Sequence, residues 1–184
     1  MKPNHYCPSW LAFGLVNPLR RLVQKPELIL EPYVREGMTA LDLGCGPGFF
    51  TIPLARMVGP TGRVIAVDLQ QQMLDIMARR AARAGVAERI KTVLCQLDHI
   101  NTTAPVDFAL AMWMVHEVRD REKFFAQVKT CLKPGARFLM VEPKLHVRPA
   151  AFDRSLAQAA AAGLAPVERP PVGLSRAVVL ESRL

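Results

Sequence analysis

Asp42-Leu43-Gly44-Cys45-Gly46-Pro47-Gly48 follows the apolar run 38–43 and precedes residues 49–58, whose apolar positions return at helical spacing. Glycines at such a junction let the chain turn sharply and let a ligand come close to the peptide plane. The free N–H groups of the helix start favour an anionic ligand group. A second acid, Asp68, closes the β-branched run 64–67, twenty residues after Gly48, where a carboxylate can accept from two ribose hydroxyls. The spacing is G-x-G-x-G, with Phe49 where a dinucleotide fingerprint wants its last small residue, and no Gly-Lys-Ser/Thr follows as a P-loop needs. An adenosine without a pyrophosphate fits these features best.

A second group lies farther along, in Met112-Trp113-Met114-Val115-His116-Glu117. The unperturbed pKa of a histidine, about 6.5, suits His116 to remove a proton near neutrality, and Glu117 either orients it or acts in its place. The structural alternative has equal weight here, because an acid near a helix start often serves only as a cap. Met112, Trp113 and Met114 read equally as core, cofactor packing or substrate contact. Cys7, Cys45, Cys95 and Cys131 have neither metal-ligand spacing nor a C-x-x-C pair, so no metal is expected.

The elements that must hold these residues alternate. Strands are expected at 38–43, 64–67, 90–94, 108–112 and 138–141, and helices at 49–58, 70–84, 123–132 and 150–162, with a turn at Lys133-Pro134-Gly135. Repeated β-then-α order with short connections predicts an α/β, doubly wound, mostly parallel sheet with helices on both faces. Its ligand site then lies beyond the carboxyl ends of the strands. The end departs from that order, because 164–168 and 175–181 read as two strands with no helix between them and therefore as an antiparallel hairpin. Residues 1–36 read as helical pieces split by Pro18 and Pro26. Within them His5, Tyr6, Trp10 and Phe13 form either a lid over the substrate or a staple onto the sheet.

Asp42-x-Gly44-x-Gly46-x-Gly48 followed by Val64-Ile65-Ala66-Val67-Asp68 resembles the first two signature motifs of class I S-adenosylmethionine-dependent methyltransferases. Asp107-Phe108-Ala109-Leu110-Ala111 and Leu132-Lys133-Pro134-Gly135-Ala136-Arg137-Phe138 resemble the family's later strand motifs, in the same order. The resemblance covers residues 37–142, and the look within the family is that of the ubiquinone/menaquinone-biosynthesis type. It implies a Rossmann-like, seven-stranded sheet with an antiparallel last strand and S-adenosyl-L-methionine as cofactor. It further implies that Asp42 holds the methionine amino end and that Gly44, Cys45, Gly46 and Gly48 form the loop the cofactor approaches. Asp68 would bind the ribose, Leu69 would lie against adenine, and Met112 would pack at the cofactor. The contact to the adenine amino group falls on Gln96 or Asp98, with Asp98 placed first, since Cys95-Gln96-Leu97-Asp98 departs from the family's Gly-Asp pair. His116 and Glu117 would then stand beside the methyl as catalytic candidates.

Length and charge bound the rest. The chain has 184 residues, 51% of them hydrophobic, which fits a single domain, residues 1–184, with 1–36 as a leading segment and 37–184 as the cofactor-binding core. The longest apolar run, 108–115, is far short of the roughly 20 residues that span a bilayer. Scattered cysteines favour reduced thiols in a cytoplasm. The net charge of +8 favours acidic partners, yet the basic residues come in small groups with acids nearby. A small-molecule methyl acceptor is therefore expected first. The alternatives are an RNA or protein methyltransferase and a non-catalytic cofactor-binding protein of the same fold. The fourth strand ends in Ala111-Met112-Trp113-Met114, without the Asn/Asp-Pro-Pro-Tyr/Phe sequence associated with amino-group methylation of adenine or glutamine.

Overall fold

The computed structural model describes residues 24–182; His5, Tyr6, Cys7, Trp10 and Phe13 lie outside them. In chain order the elements are α1 (Pro26–Leu30), β1 (Thr39–Leu43), α2 (Thr51–Met57), β2 (Arg63–Asp68), α3 (Gln71–Arg83), β3 (Ile90–Leu94) and β4 (Val106–Met112). They continue with α4 (Arg121–Cys131), β5 (Leu132–Pro143), α5 (Pro149–Ala161), β6 (Leu164–Glu168) and β7 (Ser175–Ser182). Short 3-10 turns occupy Ala87–Arg89 and Val115–Glu117.

The seven strands form one sheet in the order β3-β2-β1-β4-β5-β7-β6. β1, β2, β3, β4 and β5 are parallel, and β7 runs antiparallel between β5 and β6, as the missing helix between the last two strands requires. The central strands are apolar on both sides because both faces are covered. On β4, Phe108, Leu110 and Met112 face a core shared with α2 and α3, while Ala109 and Ala111 face one shared with α4 and α5. Strand order reverses between β1 and β4, so a crevice opens beyond the ends of these two neighbours.

Three expectations need correction. The turn at Lys133-Pro134-Gly135 is absorbed into β5 as a bulge: Leu132 already pairs with Val106, the next pair joins Phe108 to Arg137, and Gly135 takes φ +74°. The fourth strand also begins two residues earlier than its apolar run. Asp107 hid that start, and its carboxylate is used there, accepting from Lys133 Nζ at 2.7 Å and from the Thr39 amide at 2.8 Å. Likewise α4 begins at Arg121 rather than residue 123, because Asp120 caps it by accepting from the Lys123 amide at 3.0 Å.

Candidate active site

The first turn of the site is built by conformations that glycine tolerates. Gly44 and Gly46 have φ +67° and +52°, and the Cys45 amide between them donates to the Val67 carbonyl at 3.0 Å, tying the turn to β2. A Cβ on Gly46 would meet nothing within 4 Å, so this position opens onto free space. Gly48, φ +84°, differs: a Cβ there would come within 2.6 Å of Met77 on α3, so its bareness serves the packing of α2 beside α3, and Gly48 does not line the cavity. Asp42 fixes the other end of the turn. Its Oδ2 accepts from the Thr51 hydroxyl at 2.7 Å, anchoring the start of α2 to the end of β1.

Asp68, 8% exposed at the end of β2, accepts from the Gly46 amide at 2.8 Å and the Gln70 amide at 2.9 Å. Burial pushes its carboxyl above the ordinary aspartate range, and these N–H donors only partly oppose the rise. Such a carboxylate gains when further hydroxyl donors reach it.

Asp42, the glycine turn at 44–46 and Asp68 line one cavity of about 400 Å³. Of the positions singled out above, Asp42, Gly44, Cys45, Gly46, Asp68, Leu69, Gln96, Asp98, Met112, His116 and Glu117 all reach its wall. Gln96 and Asp98 are placed differently. The Gln96 backbone forms a small antiparallel bridge with His99, while the Asp98 carboxylate, 58% exposed, pairs with Lys123 Nζ at 3.2 Å, a partner that lowers its pKa.

Beyond β4 the chain takes a left-handed step at Trp113, φ +60°, whose indole N–H donates to Ser175 Oγ at 2.9 Å. It then enters the Val115–Glu117 turn, held from α4 by Arg121, which donates to the Val115 and His116 carbonyls at 3.0 and 3.1 Å. His116 Nδ1 lies 2.6 Å from Glu142 Oε2. Burial alone would lower the histidine pKa, but the Glu142 hydrogen bond and charge, with the Glu117 charge, outweigh it and the pKa is raised. Glu117 is exposed in this turn, yet desolvation by the surrounding protein, then the Asp68 and Glu142 charges, raise its carboxyl pKa against the pull of His116.

Glu142 and His146 are the residues that sequence reasoning missed. The signal for Glu142 was present: an acid directly after the apolar run 138–141 stands at the carboxyl end of a central strand, where ligands bind. His146 follows in the next connection and stacks on His116 at 6.3 Å between ring centroids.

A doubly wound sheet with a reversed β7, whose glycine turn and Asp68 line one crevice, has the Rossmann-like, class I methyltransferase fold, whose cofactor is S-adenosylmethionine. The chain belongs to the "Methyltransferase domain" family, which matches residues 40–135, just over half of it. Over 113 residues, 59% of the chain, it is 36% identical to a 37.1 kDa protein of a Streptomyces fradiae transposon and covers 31% of that protein. A match of the same length, 32% identical, covers 42% of the ubiquinone/menaquinone biosynthesis C-methyltransferase UbiE of Haemophilus ducreyi. The chain thus spans less than half the length of these relatives. A crystal structure of an S-adenosylmethionine-dependent methyltransferase from Aquifex aeolicus, 25% identical, superposes with a TM-score of 0.85 over 97% of this chain and 100% of that one.

The residues present fit this cofactor. Gly46 leaves open space where a Cβ would project, Asp68 offers a buried acceptor to a ribose, and Asp42 offers a carboxylate to an ammonium group. Among the described residues there is no His/Cys/Asp/Glu group suited to hold a metal, and no helix is long and apolar enough to cross a membrane.

Proposed function

We propose that the chain, acting as a single domain, transfers a methyl group from S-adenosylmethionine to a small-molecule nucleophile. The observation that carries this reading is the common cavity, in which the glycine turn, Asp68 and His116 line the same volume. The bound cofactor would supply a methyl group already activated by its sulfonium, so the chain mainly aligns donor and acceptor. Asp42 would hold the ammonium end, Asp68 the ribose, and Leu69 the adenine face. Since Asp98 is turned to Lys123, Gln96 is the better placed of the two for the adenine amino group.

Phe49, Phe50, Met112, Trp113 and Met114 give the remaining wall a largely apolar character, which suits a ring-bearing acceptor. UbiE's name, a C-methyltransferase of ubiquinone and menaquinone biosynthesis, supports a quinol-like ring as the first acceptor to try. Free thiols at Cys45, Cys95 and Cys131 fit a cytoplasmic setting.

The test is a screen of quinols, phenols, amines, thiols and arsenite for formation of S-adenosylhomocysteine. Turnover of one small-molecule class is expected. Turnover only with RNA or protein would move the assignment to a macromolecular methyltransferase, and no turnover with retained cofactor binding would favour a non-catalytic role.

A further inference from the structure

Glu142 closes β5 with 1% of its surface exposed. A carboxylate so buried is costly unless its oxygens are met by donors. Oε1 accepts from the Val115 amide at 2.9 Å, which would satisfy a purely structural role in holding the turn. The second oxygen is committed to the next residue of that turn, His116, at 2.6 Å. An ionised carboxylate only accepts, so Nδ1 carries the shared proton, and whenever the ring is neutral Nε2, on its far edge, keeps its lone pair.

The ring is held from several sides. Arg121 pins the His116 carbonyl from α4, His146 stacks within 17° of parallel from the β5–α5 connection, and Glu117 flanks it in the chain. His116 also lines the cavity that contains Asp68 and Met112. A fixed imidazole with a free lone pair in that wall has a use only for an acceptor that arrives with its proton.

We propose that Glu142 is the positioning residue of a carboxylate–imidazole pair in which His116 Nε2 takes the proton of a hydroxyl-bearing acceptor of phenol or enol type. This rests on the reading of the cavity as a methyl-transfer site. The acceptor's O–H bond breaks and its proton goes to Nε2. The electron pair released, on oxygen or delocalised to a conjugated carbon, forms the bond to the methyl carbon; where a ring carbon is methylated, its C–H proton is then lost to water and the oxygen regains a proton, restoring the aromatic ring. The methyl–sulfur bond breaks with its pair left on sulfur, and the imidazolium returns its proton to water.

Long-range ¹H–¹⁵N correlation spectra of the labelled protein read this pair directly, with His116→Gln identifying the signal among the four histidines. In the wild type His116 is expected as the Nδ1-protonated tautomer, titrating above the ordinary value of about 6.5. Glu142→Gln should lower that midpoint, and S-adenosylhomocysteine should move the Nε2 signal in the wild type. An Nε2-protonated tautomer in the wild type, an Nε2 signal indifferent to S-adenosylhomocysteine, or an unchanged midpoint in folded Glu142→Gln overturns the pairing. The wild-type tautomer needs no substitution, so a variant that fails to fold leaves the question decidable. Calorimetry of the wild type with S-adenosylmethionine tests the methyltransferase reading separately.

Discussion

At Asp68 the electrostatics of the fold and of the ligand pull in opposite directions. Burial raises its pKa in the folded chain above the ordinary aspartate range, and the backbone N–H donors it already has only partly oppose the rise. Ribose hydroxyls would donate more strongly to the ionised form than to the neutral one. Cofactor affinity should therefore fall as pH drops through the raised value, beginning above the ordinary aspartate range near about 3.9. Calorimetric titrations across acidic pH check this, and affinity flat down to that range would contradict it. Asp68→Ala should weaken binding by about 1–3 kcal/mol, the cost of losing a charged acceptor. His116 carries the opposite dependence for the free protein. Its raised folded pKa contributes stability that is full below about 6.5 and fades as pH rises through the folded value. His116→Gln should flatten that part of the melting-temperature profile. Asp42, Asp68 and His116 could be singled out because chemistry-bearing residues stood at strand ends, and the structure brings them to one cavity. Glu142 also stood at a strand end, but its pairing was hidden, because its partner lies 26 positions away, on the turn after the neighbouring strand.

At the level of elements, two glycines of one turn separate stability from binding. Gly48→Ala places a Cβ 2.6 Å from Met77 at φ +84° and should destabilise the fold by about 1–3 kcal/mol in denaturant unfolding. Gly46→Ala meets no protein atom within 4 Å and should cost only about 1 kcal/mol of backbone strain while obstructing the cradle. Stability should fall more in the first and cofactor affinity more in the second; the reverse order would remove Gly46 from the site. The alternation of elements was readable from periodicity because most helices and strands carry a clean apolar pattern, and β3 and β6 occupy the predicted residues. What periodicity lacked was long-range pairing. Periodicity left Asp107 outside the strand at 108–112, whereas Lys133 and Thr39 meet its carboxylate there, and it gave Lys133-Pro134-Gly135 as a turn, whereas Leu132 already pairs with Val106.

For the whole molecule, strand order places the turn after β1 and the segment after β4 beside one crevice, although they are some 70 residues apart in the chain. Parallel order and the closing hairpin were legible from the connections between elements; the order of the strands across the sheet was not. A ligand that binds the folded chain at 100 times its Kd adds about 2.7 kcal/mol. For a chain of this size that corresponds to a rise of about 5–10 °C in melting temperature. S-adenosylhomocysteine should produce that rise, and Asp68→Ala should remove most of it.

The most direct measurement is a paired calorimetric titration of the purified protein with S-adenosylmethionine and with NAD. One site for the sulfonium compound, weakened by Asp68→Ala, and no heat from NAD are expected. Preferential binding of NAD, or S-adenosylmethionine binding indifferent to Asp68, would contradict the assignment of the crevice.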